Sequence, residues 1–230
     1  MRLYANIDNL EKKIVSCKLC PRLVSFRETC LLDSKKYEGV EFWRKPVPGY
    51  GDINGKLLIV GLAPAASGGN RTGRVFTGDK SSDFLFSCLY SLKLSNKPTS
   101  VSKNDGLVYN GMFITAAVKC VPPDNKPTND EIKNCSRYLD NELRLMKNLR
   151  SIVCLGKIAF DAVDALFRKQ GTTRNRNIFK NGKFYSYGKI RIYCVYHPSP
   201  RNVNTGKITK EQFTDILRKA KTYAEYETSS

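Results

Sequence analysis

Four short apolar runs, Lys56–Leu62, Gly111–Val118, Ser151–Leu155 and Ile190–Tyr196, are separated by stretches of helical periodicity. Each run is rich in Ile, Val or Leu and ends at Gly, Pro or polar residues, the pattern of a buried strand. Strands apolar on both faces suit a parallel sheet covered by helices on either side. A helix is predicted after Thr128, where Thr128 and Glu131 form a capping box ahead of Ile132, Cys135, Leu139, Leu143 and Met146. A second box, Thr209 with Gln212, opens a C-terminal helix carrying Phe213, Ile216, Leu217 and Ala220. Further helices are expected over Lys157–Arg168, Ser81–Leu92 and Ile7–Ser16. This alternation predicts an α/β fold of three layers, α/β/α.

Two polar stretches interrupt the pattern. Ser95–Asn110 reads as a loop; Arg174–Lys189 is basic and holds Asn181-Gly182 between Phe179 and Phe184, a hairpin signal. No internal repeat, low-complexity tract or domain boundary is evident, and 230 residues suit a single domain spanning 1–230.

The cysteines add a second constraint. Cys17-Lys18-Leu19-Cys20 spaces two thiolates so that one turn of chain can present both to a single metal centre, with Pro21 directly following. Cys120 and Cys135 are too far apart in sequence for one tight knuckle. Zinc modules usually repeat the short spacing in both halves, whereas one wide pair fits iron–sulfur ligation at least as well. Four ordinary buried or free cysteines are the plain alternative. Cys88, Cys154 and Cys194 lie in apolar segments and read as core residues, while Cys30 has no evident place.

The N-terminus, Met1 to Asp8, has no apolar stretch suited to a secretory signal. No uninterrupted apolar run approaches the roughly 20 residues of a membrane span. A cytoplasmic protein with no membrane partner is therefore expected, and its cysteines are ligands or buried thiols, not a disulfide scaffold. Lys and Arg number 39 against 21 Asp and Glu, a formal charge of +18 that favours polyanion partners, nucleic acid above all. A lysine-rich solubilising surface would give the same count.

In an open α/β sheet, ligands bind beyond the carboxyl ends of the strands, where three loops stand out. The first runs from Gly61-Leu62-Ala63-Pro64-Ala65 through Asn70-Arg71-Thr72-Gly73-Arg74-Val75-Phe76-Thr77-Gly78-Asp79. Its small residues allow a ligand close to the backbone, Phe76 offers a stacking face, and Asp79 is either a catalytic acid or a helix N-cap. The second, Cys120 to Pro127, has three prolines that restrict the backbone around Asn125, which either reads a ligand edge or forms a turn. The third, His197 to Gly206, holds the chain's only histidine at a strand end stiffened by Pro198 and Pro200.

With these stretches and Pro48-Gly49-Tyr50-Gly51-Asp52 taken together, the chain resembles the iron–sulfur uracil-DNA glycosylases, specifically the type-5 branch. The resemblance covers Cys17 to about Lys221. It implies the uracil-DNA glycosylase fold with a central four-stranded parallel sheet, and a [4Fe–4S] cluster on Cys17, Cys20, Cys120 and Cys135 that ties in the N-terminal segment. It further implies a monofunctional hydrolase that starts base excision repair by flipping a damaged base out of DNA and cleaving its N-glycosidic bond. Asp79, His197 and Asn125 would be catalytic; Gly61, Leu62, Ala63 and Phe76 would bind the base. Arg71, Arg74, Ser199, Arg201 and Asn202 would contact the DNA. A monomer is expected; the sequence is silent on any contact with a replication clamp.

Other branches place a carboxylate or Asn in the first motif, which here reads Leu62-Ala63-Pro64-Ala65; where the type-4 branch has Asn after Ile-Thr, this chain has Ala116. Missing polar groups relax discrimination, so hypoxanthine is expected as a substrate besides uracil. A His often precedes the Gly-Gly-Asn segment in the type-5 branch; here that residue is Ser67. No lysine stands out as a Schiff-base nucleophile. Two rival readings keep the cysteines: a non-catalytic iron–sulfur nucleic-acid-binding protein, and an electron carrier, which would not need the three loops.

Overall fold

The computed structural model describes residues 6–30, 37–171 and 176–226. Its strands are β1 (Tyr50–Gly51), β2 (Leu57–Gly61), β3 (Met112–Ala116), β4 (Ser151–Leu155), β5 (Phe184–Tyr187) and β6 (Ile190–Val195). The four apolar runs give β2, β3, β4 and β6, which pair in parallel in the order β3-β2-β4-β6. Short antiparallel strands, β1 and β5, extend that core at its two edges into a six-stranded sheet. Neither has the long apolar run that marks the inner strands. β1 is two residues long, and β5 has one buried residue, as an edge strand requires.

The helices are α1 (Ile7–Val15), α2 (Pro21–Thr29), α3 (Gly69–Thr72), α4 (Lys80–Ser91), α5 (Asn129–Leu145), α6 (Lys157–Lys169), α7 (Pro200–Asn204) and α8 (Lys210–Glu225). Both predicted capping boxes form, at the starts of α5 and α8. The expected helices correspond to α1, α4, α5, α6 and α8. α2 was not foreseen; it begins at Pro21, whose fixed φ suits the first helical position.

Strand alternation sorts the core into two faces. Leu57, Ile59, Ile114, Val153, Leu155, Tyr193 and Val195 pack with Leu85, Phe86 and Leu89 of α4 and Phe213 and Leu217 of α8. On the other face Leu58, Val60, Phe113, Ile152, Cys154 and Cys194 meet Leu139 of α5 and Phe160, Val163 and Phe167 of α6. The result is the expected three-layer α/β/α arrangement. Cys88, Cys154 and Cys194 are fully buried in it. A third cluster joins Leu10 and Ile14 of α1, Leu23 of α2 and Val118 to Cys120, Cys135 and Tyr138.

The hairpin expected at Asn181-Gly182 is corrected by the structure. The β5–β6 hairpin turns at Gly188, which takes φ +59°, where glycine has no steric penalty. Asn181-Gly182 forms a separate turn before β5, and Phe179 leaves the ladder to pack beside Phe160 and Tyr196. The first residues of the basic stretch, 174 and 175, lie outside the described residues. Among the described residues no helix is long and apolar enough to cross a membrane.

Candidate functional site

Beyond the carboxyl ends of β2, β3 and β6 lies a cleft of about 420 Å³ that brings together residues from all three predicted loops. Asp79, Asn125, His197 and Phe76 all line it, together with Ala63, Pro64, Ala65, Val75 and Ala116. Side chains scattered over 135 positions of sequence, from Ala63 to His197, thus meet because parallel strands deliver their loops to one end of the sheet.

Asp79 caps α4, with Oδ1 accepting the Ser82 N–H at 2.8 Å. The N-cap and catalytic readings are therefore compatible, because the carboxylate has a second oxygen. That oxygen lies against Gly68, where a Cβ would clash with it. Burial raises the Asp79 pKa, opposed in part by the backbone N–H groups of Ser82 and Ser81. Lys80 and Ser81 also line the cleft. Sequence reading had not singled them out; their position directly after the capping acid was the available signal.

His197 follows β6. Burial lowers its pKa to about 4, so the imidazole is neutral near pH 7 and retains one N–H donor. Its backbone is held by Asn202, whose Nδ2 donates to the His197 carbonyl at 2.9 Å. Ser199 caps α7 by accepting the Asn202 N–H at 3.3 Å. Phe76 sits at φ +50°, an unusual conformation for a bulky residue. Its ring lies over Gly61 and stacks on His197 with centroids 6.0 Å apart and planes at 27°.

Asn125 closes a single helical turn, Pro123–Asn125, in which Asp124 and Asn125 take φ +53° and +55°. The Asn125 N–H donates to the Pro122 carbonyl at 3.2 Å and the Lys126 N–H to that of Pro123 at 2.9 Å. Asn tolerates this left-handed region better than most residues, so the turn role and the cleft-lining role coincide.

Several expected contacts fall elsewhere. Arg74 is corrected: it is 1% exposed and makes a bidentate pair with Asp105, at 2.9 and 2.6 Å, besides bonds to Thr77 and Ser100. It braces the loop from within and presents nothing to DNA. Leu62 and Gly61 are not among the residues lining the cleft; Leu62 accepts the Val118 N–H through its carbonyl, and Gly61 makes room for Phe76. Arg71 donates to the Ser67 carbonyl at 2.8 Å and lies over the Tyr37 ring. Arg201 is exposed, and Asn202 is engaged in holding His197.

Cys17, Cys20, Cys120 and Cys135 line one small cavity with Leu23, Arg27 and Tyr138. Among the described residues no three His, Cys, Asp or Glu side chains converge tightly enough for a single metal ion. The donor set nonetheless fits a larger anionic group. Arg27 is 3% exposed, donates through Nη1 to Cys120 Sγ at 3.2 Å, and has an Nε without a hydrogen-bond partner among the described residues. Lys119 N–H approaches Cys135 Sγ at 3.5 Å and Asn134 Nδ2 approaches Cys20 Sγ at 3.6 Å. Burial drives the Cys135 thiol up to about 12, so the thiolate would need a neighbouring cationic centre to stay ionised. Cys30, unplaced by sequence, ends α2, with its Sγ accepting from Asn70 Nδ2 at 3.3 Å.

Residues 48–221 match the model of the uracil DNA glycosylase superfamily. The chain is 47% identical to the type-5 uracil-DNA glycosylase of Pyrobaculum aerophilum, over 93% of this chain and 91% of the relative. It is 42% identical to the type-5 uracil-DNA glycosylase of Thermus thermophilus, over 92% and 95%. The type-4 uracil-DNA glycosylase of Sulfurisphaera tokodaii is 28% identical, over 96% and 88%.

Proposed function

The chain belongs to the uracil-DNA glycosylase superfamily, and we propose that it releases uracil from DNA by hydrolysing the N-glycosidic bond, starting base excision repair. The bond is inaccessible within the base stack, so the nucleotide must be flipped into the cleft. Cleavage develops positive charge on the sugar and negative charge on the departing base. Asp79, as a carboxylate, stabilises the sugar cation or orients the attacking water. Neutral His197 donates its N–H to the base oxygen as that oxygen becomes anionic. Asn125 holds the base edge or the water, and Phe76 packs against the base.

The observation that carries this reading is the convergence of a carboxylate, a neutral imidazole, an amide and an aromatic ring in one cleft. Nothing in such a mechanism requires a Schiff base, so the product is an intact strand with an abasic site. The apolar part of the lining, Ala63, Pro64, Ala65 and Ala116, supports hypoxanthine as a further substrate, since it offers few polar groups whose pairing a wrong base would leave unmet. Cys17, Cys20, Cys120 and Cys135 would hold a [4Fe–4S] cluster. These residues would then tie together the segment before α2, the loop after β3 and α5, and no redox step is needed for hydrolysis.

Asp79→Asn and His197→Ala test this reading against a DNA-binding protein without catalysis. Both variants should bind uracil-containing duplex while base release falls by about 10²–10⁴-fold, the usual worth of a positioned acid–base group. Unchanged release in both would remove these residues from the chemistry.

A further inference from the structure

Between Asp164 and Glu211 the chain has no acidic residue: 46 consecutive positions carry 11 Lys or Arg, and His197 lies among them. The fold turns this bias into a surface. β5 runs antiparallel to β6 with Phe184 opposite Tyr193, so the residues before β5 are carried to the end of the sheet where the cleft opens. The Gly182 N–H donates to the Cys194 carbonyl, and the Cys194 N–H to that of Lys183, both at 2.8 Å. Asn181 Oδ1 accepts the N–H of Tyr196, the residue immediately before His197, at 2.8 Å.

Residues 177–183 therefore form an arm moored beside the catalytic loop. Its outer side is apolar and cationic at once. Ile178 is 76% exposed, and Phe179 packs its ring 5.7 Å from that of Tyr196, itself 37% exposed. Exposed apolar groups gathered beside a site mark an interaction surface. Lys180 and Lys183 are exposed, and neither has a carboxylate partner among the described residues; Lys183 Nζ stands 4.6 Å from the Tyr185 ring centroid. Arg176, by contrast, is paired with Asp161 and is not counted.

We infer that this arm, with Tyr196, is a second DNA-contact surface that grips the duplex flank next to the flipped nucleotide. The inference rests on the glycosylase reading for the position of the flipped base. Phosphate oxygens would take the two lysines, and the deoxyribose rings of the flank would take Ile178 and Tyr196. The absence of any acid along the span argues for a polyanion over an acidic-and-basic protein surface, and the arm is continuous with the cleft that receives the base.

The test measures binding to an undamaged duplex, so it does not depend on base release. Titrations over a range of salt compare the unmodified protein with the Lys180→Gln/Lys183→Gln double variant. Losing two phosphate contacts should weaken binding and make the slope of log K against log salt shallower by about 2. Ile178→Gln should weaken binding with the slope unchanged, because it removes an uncharged contact. All three side chains are exposed, so circular dichroism should show native structure throughout. Affinity and slope equal to the parent's in both variants would overturn the arm as a DNA surface. Failure of the unmodified protein to release uracil would instead overturn the catalytic reading, leaving this comparison valid.

Discussion

Gly61 and Phe76 meet at the end of β2: a methyl group added to Gly61 would lie 2.7 Å from both Cε2 and Cζ of the Phe76 ring. Those distances are too short for real carbon contacts. The missing side chain at Gly61 therefore sets where the ring lies, and the ring in turn stacks on His197. A residue that never reaches the cleft thus shapes its aromatic wall.

Gly61→Ala should push the Phe76 ring off its seat. Overpacking of this kind costs about 1–3 kcal/mol, which a shift in urea midpoint would report. Single-turnover base release should fall as well. Adding Phe76→Leu should recover stability by freeing space, without recovering release. Full activity in Gly61→Ala would show that the ring's position is unimportant.

Asp79 has two separable duties. Asn caps helices about as well as Asp, so Asp79→Asn should retain stability, whereas Asp79→Ala should lose about 1 kcal/mol by removing the cap. Both should lose base release equally. With its pKa raised by burial, Asp79 should give an acid limb in the pH–rate profile that lies above the ordinary carboxylate value and disappears in Asp79→Asn. His197 links stability to pH. Its folded pKa of about 4 is below the usual 6.5, so its contribution is present above pH 6.5 and is lost as pH falls toward 4. Urea midpoints of His197→Gln should decline less than those of the parent across that window.

Ala116 lines the cleft at the position where the type-4 branch carries Asn. Ala116→Asn should favour uracil over hypoxanthine, because a buried amide left unpaired penalises the wrong base. The ratio of single-turnover rates on the two substrates is the readout. A ratio unchanged by the substitution would place discrimination elsewhere in the cleft.

Arg27 should govern retention of the proposed iron–sulfur cluster. Its guanidinium donates to Cys120 Sγ from a nearly solvent-free position, and hydrogen bonds to charged groups contribute about 1.5–3 kcal/mol. Arg27→Met, of similar length, should leave the purified protein with less bound iron per chain and a weaker visible chromophore than the parent. Equal iron content in the two would assign Arg27 to packing alone.

The layers and much of the cleft were legible because they rest on local signals. Continuous apolar runs gave β2, β3, β4 and β6, and paired capping residues gave α5 and α8. Asp79, Asn125 and His197 stood out as polar residues in stiff loops at strand ends. What sequence could not show depends on long-range partners. Arg74 reads as a surface arginine until Asp105, 31 positions later, buries it in an ion pair. Leu62 shares a motif with Ala63, yet only Ala63 reaches the cleft. The turn at Gly188 was masked by the stronger local signal of Asn181-Gly182, which the sheet uses to moor an arm instead.

The central claim is hydrolytic base release without strand cleavage, and Lys80 on the wall of the cleft makes the distinction a real one. The direct measurement incubates the purified protein with an end-labelled duplex containing one uracil, then divides the sample and treats half with alkali. Breaks at the uracil position only after alkali are the predicted result. Breaks without alkali would assign a Schiff-base lyase step, and no breaks in either half would contradict the account altogether.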